Sequence, residues 1–343
     1  MSMSAPVAER VERFLADLEA TPLARHVLAV VVCGSAARGE EIWDGDRLVS
    51  DIDMMLVTRR TDPRLSAAAE VVLARHASDG IDGGPVPLGP LRRYVTLLFY
   101  ETRACGVVVS GELRLDDLIP RLRPEELPPW EGFRVLANRS LEHVKARAGL
   151  IAAERAVAKT YEALAEAHLV AEGRYRPTYA ERLEELERQP PAAVPEPVTE
   201  RLVATLRRRL GASGPAPDAD LPAARADLAA GLALLGERCT GQPGDAARQL
   251  ALLARGRPHW RQRAYWSAVM LAAGRWSSLT PHVDPMIRIW QRAVDALADP
   301  AIADGDKLLL DDWRRCPQVL SRRSRSRSGD HTSVGVTWNI RSM

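Results

Sequence analysis

The stretch VVVCGSAARGEEIWDGDRLVSDIDMMLV, residues 30–57, decides the fold of the first third of this chain. It opens inside a β-branched run, His26 to Cys33 (HVLAVVVC), bounded by a glycine, as expected of a strand buried on both faces. Gly34 and Ser35 then turn the chain, and Ala36, Ala37 and Arg38 offer a short helix. Ile52 to Thr58 (IDMMLVT) is a second strand. Asp51 and Asp53 stand two residues apart, so on a strand both side chains project from one face. Two carboxylates so placed repel unless a cation holds them, and hard oxygen ligands suit Mg²⁺ or Mn²⁺. Gly34 permits a sharp turn and a close approach of backbone to a phosphate. The amides of Ser35 and its successors would lie at a helix start, where unpaired N–H groups favour negative charge, and the Ser35 hydroxyl adds one more donor.

Outward from this core the signals alternate. The opening MSMSAPVAERVERFLADLEA, residues 1–20, reads as an amphipathic helix with Val7, Val11, Phe14 and Leu18 inward. Leu65 to His76 fits another helix, with Leu65, Ala69, Val72 and Leu73 on one face. Arg93 to Tyr100 (RYVTLLFY) and Gly106 to Ser110 (GVVVS) read as further strands. Between the 65–76 helix and these strands, DGIDGGPVPLGP at 79–90 reads as a loop or an irregular edge strand. From about Trp130 the pattern is helical: Phe133 to Ala148, Ala152 to Glu172, and Thr178 to Arg188, where Thr178 and Glu181 have capping-box spacing. Proline-rich QPPAAVPEPV at 189–198 precedes a second helical stretch, broken once by GASGPAPDAD at 211–220. The fold class expected is α+β: strands alternating with helices in the first third, followed by an all-α region. The expected division is a first domain at 1–125, a helical partner region at 126–190, a C-terminal helical domain at 198–318, and a disordered basic tail at 319–343. Tryptophans concentrate late, at 260, 266, 276, 290 and 313, and read as core residues rather than base-stacking platforms.

The ordered pair of motifs resembles the DNA polymerase β-type nucleotidyltransferase superfamily, closest to its small bacterial and archaeal members that write GSxARG and SDID. The matching residues are Gly34, Ser35, Ala37, Arg38 and Gly39, then Ser50, Asp51, Ile52 and Asp53. The resemblance implies a mixed β-sheet flanked by helices and transfer of an NMP from an NTP (ATP foremost) to a hydroxyl of an unidentified acceptor, with Asp51 and Asp53 as catalytic metal ligands. It covers about 110 residues. The nucleotide would be held by Gly34, Ser35, Arg38, Gly39 and Ser50; for Arg38 an exposed helix arginine, and for Ser50 a turn cap, are equally open readings. More loosely, LANR at 136–139, Lys159 with Tyr161, and YRPTYAER at 175–182 resemble the helical partner of some such proteins. There Lys159 could neutralise a phosphate and Tyr175 or Tyr179 could stack on a base, against the plainer readings of surface lysine and core tyrosine.

Two departures from the pattern matter. Fifteen residues lie between Ser35 and Asp51, slightly more than usual, with WDGDR as the insertion. More seriously, family members usually carry a third carboxylate between apolar residues of a neighbouring strand. RYVTLLFY offers none; Asp82 and Glu101 lie in flanking positions, and either could still reach the metals. A catalytically weak or inactive NTP-binding regulator on the same fold is the alternative that this departure motivates. An antitoxin-like partner of a helical ribonuclease is a third reading. Arg139 and His143 have only three residues between them, too few for that nuclease signature, so no nuclease activity is assigned.

Composition bounds the rest. Among 343 residues, 47 basic against 45 acidic leave a formal charge of +2, which supplies no whole-protein field for a polyanion, so nucleic acid is not favoured as a partner. No run approaches the ~18 apolar residues of a membrane span. The start lacks a signal-peptide core. Four scattered cysteines, with no CxxC, fit reduced thiols and a cytoplasmic location, with homo-oligomerisation left open.

Overall fold

The computed structural model describes residues 3–60, 62–93, 95–211, 220–246, 248–249 and 285–298. The tail from 319 and the tryptophans at 260, 266, 276 and 313 lie outside them. The chain divides between Arg123 and Pro124 into two compact units. The first is α+β with a mixed sheet, and the second is helical. No helix among the described residues is long and apolar enough to cross a membrane.

In the first unit, α1 (Ala5–Glu19) buries Val7, Val11, Phe14 and Leu18, the stripe expected from its period. Then follow β1 (Val27–Cys33), α2 (Gly34–Arg38), the short strands β2 (Trp43–Asp44) and β3 (Arg47–Leu48), β4 (Ile52–Thr58) and α3 (Pro63–Arg75). After them come β5 (Ile81–Pro87), α4 (Leu88–Arg93), α5 (Leu97–Cys105), β6 (Val107–Gly111) and α6 (Leu115–Leu118). The four-stranded sheet has the order β5-β4-β1-β6; β1 runs antiparallel to β4 and β6, and β5 runs parallel to β4. Alternation along the strands sorts the core into two layers. Val30, Val32, Ile52, Met54 and Leu56 pack with α1 and α3, while Ala29, Val31, Cys33, Met55, Val57 and Val86 pack with Leu91, Leu98 and Phe99.

Two segments differ from the sequence reading. RYVTLLFY, expected as a strand, spans the end of α4 and the start of α5. Thr96 is the reason: its hydroxyl accepts the Phe99 amide at 3.1 Å and starts a helix, whose Leu97 to Thr102 are all buried. An unbroken apolar run carries no period by which to distinguish a buried helix from a buried strand. The glycine- and proline-rich stretch is the edge strand β5, where its prolines cost no ladder bond on the open side. The insertion WDGDR is a two-residue hairpin between β2 and β3, with Gly45 at φ 57°. The Arg10 guanidinium of α1 lies 5.2 Å over the Trp43 ring of this hairpin.

The helical unit comprises α7 (Pro129–Arg147), α8 (Ala153–Ala171), α9 (Tyr179–Arg188), α10 (Glu196–Arg209), α11 (Leu221–Thr240) and α12 (Pro285–Ala298). The α7–α8 pair is its spine; α11 lies on both, α12 on α7, and α10 on α8 and α9. The regions before and after the proline-rich linker thus belong to one compact body rather than two. Thr178 and Glu181 form the capping box that opens α9. Trp290 is buried and donates its indole N–H to Asn138 at 2.9 Å, a core role.

Candidate active site

Strand pairing gathers the acids. Cys33, the last residue of β1, stands opposite Asp53 on β4, and Asp53 stands opposite Asp82 on β5. Registered partners on neighbouring strands share a face, so Asp53 and Asp82 lie side by side, in line with Met55 and Val86 of the layer that covers α5. Asp51 lies two residues before Asp53, and the intervening Ile52 amide donates to the Gly80 carbonyl at 2.8 Å, which ties this end of β4 to the entry of β5. Burial pushes the Asp82 carboxyl up to about 7, and the negative charge of Asp51 pushes the same way; the Gly83 amide, donating to Asp82 at 2.8 Å, only partly offsets this. Asp82 keeps some surface exposure, so its desolvation is partial. Gly83 makes the placement feasible: its φ is 152°, and a Cβ there would meet the Met54 carbonyl oxygen at 2.0 Å.

Gly34 has a second task that its sequence context did not disclose. It sits at φ 66°, and a Cβ would come within 2.1 Å of Asp53 Oδ2. The group that crowds Gly34 is therefore the Asp53 carboxylate itself. Helix α2 follows at once and includes Ser35, and Gly39, at φ 69°, ends it.

Arg38 and Glu101 form a buried shell beside the acids. Arg38 is not an exposed helix arginine: its guanidinium donates to Glu40 at 2.7 Å and to Glu101 at 3.3 Å. The Cys33 thiol is held well above its usual pKa by burial first and then by the charges of Asp53 and Glu101. Glu101 thus faces Arg38, whereas Asp82 stands against Asp51 and Asp53. Register places Asp82 beside Asp53, while Glu101, bound to Arg38, shares the surroundings of Cys33 with Asp53. The one sequence signal of Asp82, an acid directly after Ile81, was blurred by the glycines that follow. Ser50 orients the insertion: its hydroxyl accepts the Ile42 amide at 3.0 Å.

Lys159 belongs to α8 of the helical unit, where it pairs with Glu162 at 2.8 Å. Tyr175 and Tyr179 are buried, and the Arg182 guanidinium lies over both rings at 4.6 and 4.7 Å, so both take the core reading.

Among the described residues no three or more His, Cys, Asp or Glu side chains are gathered closely enough to hold a metal ion by themselves. That excludes an all-protein cage. It leaves the arrangement that Mg²⁺ ordinarily uses, one or two carboxylates completed by water and substrate phosphates. The repulsion between Asp51 and Asp82 marks a place where a cation is welcome, and the hard oxygen donors fit Mg²⁺ or Mn²⁺. Comparison with known proteins adds no assignment: no family model, curated protein or solved structure matches this chain.

Proposed function

We propose that the first unit has the nucleotidyltransferase fold of the DNA polymerase β type. The chain would then transfer a nucleoside monophosphate from an NTP, ATP foremost, to a hydroxyl of an acceptor. The observation that carries this reading is the meeting of Asp51, Asp53 and Asp82 at one end of the sheet, directly against the Gly34 bend. Mg²⁺ or Mn²⁺ held by Asp51 and Asp53 would supply charge neutralisation for the triphosphate and acidify the attacking hydroxyl. The residues of the chain do the rest. Gly34 leaves room for the Asp53 carboxylate, and Arg38 with Glu101 braces α2 from behind. Asp82, with a carboxyl near neutral pKa, accepts the proton of the acceptor hydroxyl. The acceptor oxygen forms a bond to Pα, the bond from Pα to the bridging oxygen breaks, and pyrophosphate departs with that electron pair. Such a reaction draws on cytoplasmic NTP.

The neighbouring Asp82 also weakens the motive for the alternative, an NTP-binding regulator without chemistry, since that reading grew from a missing third acid. Each α-labelled NTP, incubated with the full chain and Mg²⁺ or Mn²⁺, should yield pyrophosphate and labelled product, and Asp51→Ala with Asp53→Ala should reduce the yield by at least ~10³-fold. Metal-dependent NTP binding without pyrophosphate would select the regulator. Wild-type turnover in the double variant, or no metal-dependent NTP binding at all, would remove the site.

A further inference from the structure

The helical unit holds a buried excess of positive charge around one carboxylate. Glu162 on α8 receives Lys159 Nζ at 2.8 Å, and Arg209 Nε approaches it at 3.9 Å. The Tyr179 hydroxyl donates to it at 3.4 Å. Arg139 on α7 also acts on Glu162 electrostatically. The packing makes this natural: His143 meets Thr160 at 2.8 Å across α7 and α8, and Arg139 lies one turn earlier on α7, on the side of Glu162. Glu142, the other acid acting on Arg139, is already bound to Lys145 at 3.0 Å. Three cations therefore surround Glu162.

The cations are also short of acceptors. Nε and Nη1 of Arg139, and Nε and Nη1 of Arg209, are buried and have no hydrogen-bond acceptor among the described residues. Arg139 is 7% exposed, and the Arg209 side chain 3%. The face of the Arg209 guanidinium rests on the Tyr179 ring, 4.9 Å from its centroid, which fixes its plane and leaves the N–H edge as its polar outlet. Buried guanidinium N–H groups without acceptors are costly, and two planar forks beside an ammonium match the geometry of a tetrahedral oxyanion.

We infer that Arg139, Lys159 and Arg209 form a binding site for a phosphate-bearing anion within the helical unit, with Glu162 as the internal counter-ion that keeps the three cations together. The site uses none of the aspartates and adds Arg139 and Arg209 to the lysine that the family resemblance offered; which phosphate it takes rests on the proposed transferase reading. The phosphate belongs either to the nucleotide or to a phosphorylated acceptor, and both present the same oxygens.

Calorimetric titration of the full chain with inorganic pyrophosphate, in EDTA to remove divalent ions, tests the site. Wild type should bind one equivalent, and Arg139→Gln with Arg209→Gln should weaken binding by at least about a hundredfold, on the order of tenfold per guanidinium. Because that variant could fail to fold, Lys159→Gln, at a side chain 25% exposed, serves as a second probe with a loss on the order of tenfold. Asp51→Asn with Asp53→Asn should leave this titration unchanged, which separates a failure here from a failure of the transferase reading. ATP in EDTA that competes with pyrophosphate assigns the phosphate to the nucleotide; ATP that does not compete assigns it to a phosphorylated acceptor. Absence of pyrophosphate binding to wild type, or equal binding by wild type and a folded Lys159→Gln variant, would overturn the inference.

Discussion

In the sheet-bearing unit Asp82 stands in register with Asp53 and under the charge of Asp51 at a strand end, whereas in the helical unit buried acids stand beside bases. Glu131 pairs with Arg134, Glu142 with Lys145, Glu162 with Lys159 and Glu166 with Arg182. On the proposed function, the difference separates charge kept for architecture from charge kept for chemistry. A paired buried charge costs little while its partner stays, and its removal leaves the remaining group desolvated. Crowded like charges destabilise the unit that carries them and make sense where a cation or proton is to be handled. Arg38 and Glu101 place one structural pair directly beside the crowded acids, so the two uses of charge meet within the first unit.

The contrast can be broken most forcefully at Arg182. It is fully buried, donates to Glu166 at 2.6 Å and to the carbonyls of Arg176 and Pro177 at 2.8 Å each, and covers two tyrosine rings. Arg182→Met should cost about 3–5 kcal/mol in denaturant unfolding of the helical unit. A loss below ~1 kcal/mol would show that the paired charges there are not architectural.

Gly34→Ala should act next most strongly. A methyl group at φ 66° that meets Asp53 Oδ2 forces either the bend or the carboxylate to move. An expected loss of about 1–2 kcal/mol from the left-handed backbone should accompany a much larger loss of pyrophosphate release. Undiminished activity in Gly34→Ala would mean that Asp53 need not stand where it does.

The smallest effect has the clearest sign. Asp82 titrates near 7 in the folded chain against about 3.9 when unfolded, so without metal its unit should lose stability as pH rises from about 4 to 7. Asp82→Asn should remove that decline and leave the unit more stable above pH 7, on the order of 1–2 kcal/mol after solvent screening. His143 and His168 are depressed by burial to about 4, so the helical unit should hold its full contribution above pH 6.5 and lose it as pH falls toward 4. Segment-resolved hydrogen exchange between pH 4 and 8 should therefore show opposite trends in the two units. Parallel trends would refute the charge assignments.

Much of this molecule is legible in local sequence. The α1 stripe, the capping box of α9 and the β1-bend-β4 passage all follow from patterns within a few residues. The Asp51–Asp53 pair is legible for the same reason, since a spacing of two states a face without reference to any other strand. The errors fall where local signals are degenerate. RYVTLLFY has β-forming residues but a threonine cap, and only its packing against the sheet shows which signal prevails.

Sequence by itself determined the alternation of elements, the glycine-serine bend and the two adjacent acids, because each rests on short-range sterics and period. Tertiary structure alone decided that Asp82 stands beside Asp53, that Gly34 yields space to Asp53, and that Arg38 is bound by Glu40 and Glu101. Those facts depend on strand order and register, which bring together residues that lie from about twenty to about sixty positions apart. Even the stretch 30–57, which holds both Gly34 and Asp53, does not state that they meet.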